Sequence, residues 1–294
     1  MRAPANKFTD AERARIVEVA NSPEYRNQPP SQIVPNLADK GQYIGSESTI
    51  YRVLHAQAMM QHRSASRPRT HHKPDELIAT KPNQLWSWDI TYLQSNIRGN
   101  YFYLYLFLDV FSRKIVGFNV FDQQCAEYAA SVVTSAYAAE GLREGDITLH
   151  ADNGGPMKGS TMLATLQLLG VVPSFSRPSV SDDNPFSESL FKTLKYCPQY
   201  PSKPFASQEE ALMWVKEFVH WYNNIHQHSG IHFVTPNARH QGLDKKILAS
   251  RKLVYECARE KNPNRWSRQV RDCLHVKAVY LNAKRANKKV TQIN

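Results

Sequence analysis

Three carboxylates stand where a protein could use them for chemistry. Asp89 lies inside Trp-Ser-Trp-Asp-Ile-Thr (86–91), among aromatic and apolar neighbours where a bare charge is costly unless something pairs with it. Asp152 ends the apolar run Ile147 to Ala151, and Asn153-Gly154-Gly155 after it reads as a turn that exposes the side chain. Glu188 falls in the first turn of a helix that Asn184 can cap and Pro185 can start. There the macrodipole favours an ionised side chain by about 0.3–1 kcal/mol. Oxygen ligands from three separate elements suit Mg2+ or Mn2+ and leave positions for phosphate oxygens, and two such ions would serve in-line displacement at a phosphodiester. Lys192 and Lys195, four and seven residues after Glu188, share its helical face and are placed to hold a DNA backbone. Singly, each acid also reads as a turn, cap or dipole partner. Asp109 on the following strand is a rival, as are Asp182 and Asp183 before the helix, and periodicity leaves the choice open.

Holding such groups requires a rigid frame, and the pattern from Trp86 onward supplies one. Strands are predicted over 86–91, 101–109 and 115–121, then a helix 126–140, strand 147–151, helix 160–169, strand 171–175, helix 185–196 and a long helix 208–223. The succession predicts an α/β unit, a mixed five-stranded sheet flanked by helices. Before it, Thr9 and Glu12 form a capping-box pattern ahead of a helix over 10–20. Ser31 can cap a second helix that stops at Gly41, and Gly45-Ser46 opens a third running to about Met60. Helix, glycine-containing turn and helix is the order of a helix-turn-helix DNA reader, in which Ser46, Ser48, Thr49, Tyr51 and Arg52 face the major groove; any small three-helix domain shares that periodicity. The expected division is a helix-turn-helix domain over 1–61, a basic linker over 62–84, a catalytic core over 85–240 and a basic tail over 241–294.

Charge points the same way. Residues 241–294 hold 14 basic and four acidic residues, whereas 81–240 hold 12 and 14, so most of the net +11 sits in the last stretch. That is the footprint of a polyanion binder, or else of a solubilising tail. No apolar run approaches the length of a membrane span, the first residues lack a signal-peptide pattern, and the four cysteines form no Cys-x-x-Cys pair. The expected location is the cytoplasm, with no membrane partner.

Four blocks then carry a resemblance: Trp-Ser-Trp-Asp-Ile-Thr (86–91), Leu-Asp-Val-Phe-Ser-Arg-Lys-Ile-Val-Gly (108–117), His-Ala-Asp-Asn-Gly-Gly (150–155) and Asn-Pro-Phe-Ser-Glu-Ser-Leu-Phe-Lys-Thr-Leu-Lys (184–195). With 35 residues between Asp152 and Glu188, they resemble the OrfB-type transposases of bacterial insertion sequences, whose core is similar to retroviral integrase. The resemblance implies a ribonuclease H-like core with Asp89, Asp152 and Glu188 as the metal-binding catalytic triad, leaves Asp109 a structural role, and matches Lys195 to the basic residue seven positions after the glutamate. It implies 3′-end cleavage and strand transfer of an element's DNA with two Mg2+ or Mn2+ ions and no covalent protein–DNA intermediate. It also implies at least a homodimer on terminal-repeat and target DNA, a possible upstream-frame helix-turn-helix partner, and a nucleoid-associated bacterial protein. One position departs: His226 stands where the family usually has Arg, so a DNA or carboxylate contact there would weaken with rising pH. His220, His226, His228 and His232 suggest zinc only weakly, because no cysteine lies within ligand spacing. Two rivals remain, a nuclease of similar fold that cuts RNA in hybrids and a DNA-binding repressor with an inactive core.

Overall fold

A computed structural model describes residues 7–57, 59, 76–143, 145, 147–176 and 183–282. In chain order its elements are α1 (Asp10–Asn21), α2 (Pro30–Asp39), α3 (Glu47–Ala56), β1 (Leu77–Ala79), β2 (Leu85–Gln94), β3 (Tyr101–Asp109), β4 (Ile115–Phe121), α4 (Ala126–Ala139), β5 (Thr148–Ala151), α5 (Gly155–Lys158), α6 (Ser160–Leu168), β6 (Val172–Phe175), α7 (Pro185–Lys195), α8 (Gln208–Asn224), α9 (Pro236–His240), α10 (Asp244–Lys261) and β7 (Val279–Leu281). The chain divides into a helical unit, Met1–Arg69 with Ile225–Val276, and a sheet unit, Thr70–Asn224 with Lys277–Asn294.

The sheet unit is built on five strands in the order β4-β3-β2-β5-β6. The first three form an antiparallel meander, and β5 and β6 continue parallel to β2. Pleating sends alternate side chains into two layers. Trp86, Trp88, Tyr105 and Phe107 pack with Val133 and Ala136 of α4 and with Met162 and Leu166 of α6. Leu93, Leu104, Leu106 and Leu108 pack with Leu190 and Leu194 of α7 and Val215 and Tyr222 of α8. Helices thus cover both faces, and β3 reads as an unbroken apolar run because it is buried on both. This is the mixed five-stranded sheet flanked by helices expected from the sequence.

Close helix-on-sheet packing depends on Gly117, where a Cβ would stand 2.7 Å from the Ala136 Cβ. Gly117→Ala is therefore expected to push α4 from β4 and cost about 1–3 kcal/mol, read as a lowered urea midpoint with unchanged slope. Asp109 closes the β3–β4 turn: it accepts the Ser112 N–H at 2.6 Å and hydroxyl at 2.5 Å, and the Asn83 N–H at 2.7 Å.

In the helical unit the Thr9–Glu12 capping box forms as expected. Ser31 does not cap α2; the helix starts one residue earlier at Pro30, after Pro29, with no side-chain cap. Seven residues, 40–46, separate α2 from α3, a longer connection than the three- or four-residue turn of a helix-turn-helix. The expected tail also proves largely folded. Tyr255 of α10 is buried in one core with Ile16, Val34 and Ile50, and Arg251 pairs with Asp39 while donating to the carbonyls of His232 and Phe233. By packing, residues 225–276 group with the helical unit. Charge obscured this in the sequence, because the buried positions Leu248, Arg251 and Tyr255 recur at helical spacing within a stretch dominated by Lys and Arg. Residues 62–75 of the expected linker, Asp182 and residues 283–294 of the tail lie outside the described residues.

Candidate active site

Register brings the two aspartates together. Ser87 pairs with His150 and Trp88 with Ala151 along the parallel β2–β5 ladder, and continuing that register one residue past the end of β5 sets Asp152 level with Asp89. Strand spacing puts their backbones about 4.8 Å apart, and partners in a parallel register share a face. That face is the one that Ser87 and Leu93 present to α7 and α8, opposite Trp86 and Trp88.

Glu188 reaches the same face through a buried clamp. Asn184, just before α7, accepts the Ser87 hydroxyl and donates to the Trp88 carbonyl at 3.1 Å; the Ser187 and Ser87 hydroxyls lie 2.7 Å apart. The Asn184 side chain, expected to cap the helix, instead holds its first turn against β2. His150 lies in the same layer, with Nδ1 2.9 Å from the Ser174 hydroxyl and Nε2 3.2 Å from the Asp183 carbonyl; burial lowers its pKa, against Asp183. Ser176 donates to Asp152 Oδ1 at 2.7 Å, fixing that carboxylate from the β6 side.

The electrostatics of this face are those of crowded acids. Burial, opposed by the Ile90 N–H and reinforced by the charges of Asp152 and Glu188, pushes Asp89 up to about 7. Asp152 is raised by burial and by Asp183, against the Ser176 hydroxyl. All-oxygen, mutually repelling carboxylates are a donor set suited to a hard divalent cation, which would offset the repulsion. Among the described residues, no three His, Cys, Asp or Glu side chains stand close enough to share one ion.

Two family descriptions match here, both "Integrase core domain": one over residues 79–181 and one over 169–236. Residues 79–236 are thus similar to integrase core domains. The transposase for insertion sequence element IS904 of Lactococcus lactis subsp. lactis (strain IL1403) is 31% identical over 159 residues, 54% of this chain and 61% of that protein. Transposase InsF for insertion sequence IS3A of Escherichia coli (strain K12) is 29% identical over 120 residues, 41% of each chain. The chain thus spans less than two thirds of the length of these curated relatives. Among solved structures, the simian T-cell lymphotropic virus intasome in complex with PP2A regulatory subunit B56 gamma aligns at a TM-score of 0.46 and 18% identity, over 72% of this chain and 74% of that one.

In the sheet unit, Lys192 and Lys195 are exposed on α7, on the side of Glu188. In the helical unit the residues expected to read DNA divide. Ser46 caps α3, Ser48 and Arg52 are exposed and Tyr51 is half-buried, but Thr49 is 9% exposed and takes hydrogen bonds from its own helix, so it cannot face a groove. Burial pushes His226 down to about 4, so its ring is largely neutral at physiological pH. The clamp residues Ser87, Asn184, Ser187 and His150 escaped the sequence reading. The available signal was a serine between two tryptophans on a buried strand.

Asn184→Ala would leave the Ser87 hydroxyl and the Trp88 carbonyl short of a partner. We expect a loss of about 1–3 kcal/mol in urea unfolding, followed by tryptophan fluorescence. Retention of full stability would show that the clamp holds nothing.

Proposed function

We propose that the chain is an insertion-sequence DNA transposase that cleaves the 3′ ends of its element and joins them to target DNA. The observation that carries this reading is the level placement of Asp89 and Asp152 on one face of the sheet, with the first turn of α7 clamped over that face. The curated relatives that the chain matches are transposases.

Asp89, Asp152 and Glu188 would hold divalent cations, Mg2+ or Mn2+, and two ions fit the in-line displacement this activity requires. When bound, such ions polarise the phosphodiester and activate the attacking water or 3′-hydroxyl. The chain's own residues do the rest. The Asn184–Ser87 clamp positions Glu188, Ser176 orients Asp152, and Lys192 and Lys195 hold the DNA backbone beside the acids. The helical unit binds the terminal repeats through the exposed side of α3, with Ser48, Tyr51 and Arg52. Joining two ends requires at least two copies on DNA, with an upstream-frame helix-turn-helix product as a further partner. No helix among the described residues is long and apolar enough to cross a membrane, and a nucleoid location suits the reading.

The test is to incubate the purified chain with candidate end DNA and Mg2+, then sequence the products. Joined ends are expected. Hydrolysis of RNA in hybrids without joining would replace the proposal with a nuclease, and binding without any strand scission would replace it with a repressor.

A further inference from the structure

The helical unit holds a cleft of about 590 Å3 between α10, the start of α3 and the segment before α1. One part of its lining is aromatic. Tyr43 and Trp266 stack with centroids 5.2 Å apart and planes inclined by 23°, and Phe8 lies under the Arg265 guanidinium at 4.8 Å. The other part is cationic: Arg15, Lys261 and Arg265. An adjoining hollow shares Phe8, Thr49 and Arg265 and adds Lys7, Arg13 and Arg52.

Two of the guanidiniums already have carboxylate partners. Glu12 takes Arg265 at 2.7 Å and Glu18 takes Arg15 at 2.8 Å. A guanidinium carries five donors, so these pairs orient the groups and leave further N–H bonds to offer. A sugar–phosphate backbone alone would gain nothing from the aromatic lining, and an apolar ligand nothing from the cations. An unstacked nucleotide uses both, because a base offers a π-face and its phosphates a charge.

We propose that this cleft takes an unpaired nucleotide of bound DNA, its base against the Tyr43–Trp266 pair and its phosphates at Arg15, Lys261 and Arg265. The proposal rests on the DNA-binding reading of the chain and deepens it. It gives the folded basic segment around α10 a specific partner in place of a general attraction to polyanions.

Cys257 lines the cleft and is exposed, which provides a readout independent of strand cleavage. The full chain is alkylated with a maleimide, without divalent cation, in the presence of an oligothymidylate of about ten nucleotides, a blunt duplex of equal length, or no DNA, and each cysteine is followed by mass spectrometry. The single strand is expected to slow Cys257 alkylation about tenfold, well within what one stacked base supplies, while Cys125 in the sheet unit keeps its rate. Lys261→Glu, at an exposed position, is expected to abolish the protection with thermal unfolding unchanged. No protection by the single strand, equal protection by the duplex, or protection that survives Lys261→Glu would each overturn the proposal. Since no cleavage is read, protection stands if end joining fails, and intact end joining without protection sinks the cleft alone.

Discussion

Asp152→Asn and Glu188→Gln are each expected to lower end cleavage and strand transfer by on the order of a thousandfold or more, while affinity for end DNA changes by about twofold or less. The size follows from what each change removes. Both substitutions keep the volume of the side chain and delete one negative charge from the group of three that, in the proposed reading, jointly balances divalent cations. A neutral amide binds a hard cation far less well, and the charge that builds on the phosphodiester oxygens then goes unmatched. In the proposed reading DNA affinity rests on exposed cations elsewhere, among them Lys192 and Lys195, which these changes leave in place. Asp109→Asn is the informative contrast. Its carboxylate gathers two N–H groups and a hydroxyl at the β3–β4 turn, so the expected result is a stability loss of about 1–3 kcal/mol and no specific defect at equal folded concentration. Single-turnover cleavage and gel-shift titration, run on all three variants, separate the cases. Activity within about tenfold of the parent in either triad variant would remove that residue from the chemistry.

The contrast between Asp109 and Asp89 also shows where sequence reasoning runs out. Both sit in apolar strands, and nothing in their neighbours distinguishes them. What distinguishes them is register: Asp89 is level with Asp152 across β2 and β5, whereas Asp109 pairs with Trp86 and ties off a turn. The strands themselves were legible, because turns rich in Ser, Asn and Gly punctuate aromatic and β-branched runs, and the helices were legible from their apolar spacing. Long-range polar contacts were not. No local pattern connects Ser87 with Asn184, nearly a hundred residues later, yet that contact is what carries Glu188 to its place. The same limit hid the return of α10 to the N-terminal helices, since the pairing of Arg251 with Asp39 bridges more than two hundred residues. Composition alone showed only an excess of positive charge there.

Asp89→Asn is expected to stabilise the protein in metal-free buffer at pH 8 even though it disables the proposed chemistry. The folded chain holds this carboxyl at about 7, against 3.8 for an ordinary aspartate, chiefly through burial and then through its acidic neighbours. Between those two pH values the folded state binds the proton and the unfolded state does not, so stability falls as pH rises through the interval. Near pH 4 the folded state is protonated and the unfolded state still partly so, and the variant gains little. Above about pH 7 the parent bears the full cost of an ionised, crowded carboxylate, and a difference of some three pH units corresponds to on the order of 4 kcal/mol. Asparagine cannot ionise and escapes that cost. Urea titrations of parent and variant from pH 4 to pH 8, followed through the fluorescence of the buried Trp86 and Trp88, should therefore diverge steadily with pH. Millimolar Mg2+ should then raise the stability of the parent more than that of the variant, because the ion offsets a repulsion that only the parent contains. Parallel curves across the whole range would mean that Asp89 ionises freely in the folded chain, and that the three acids do not crowd one another as the register implies.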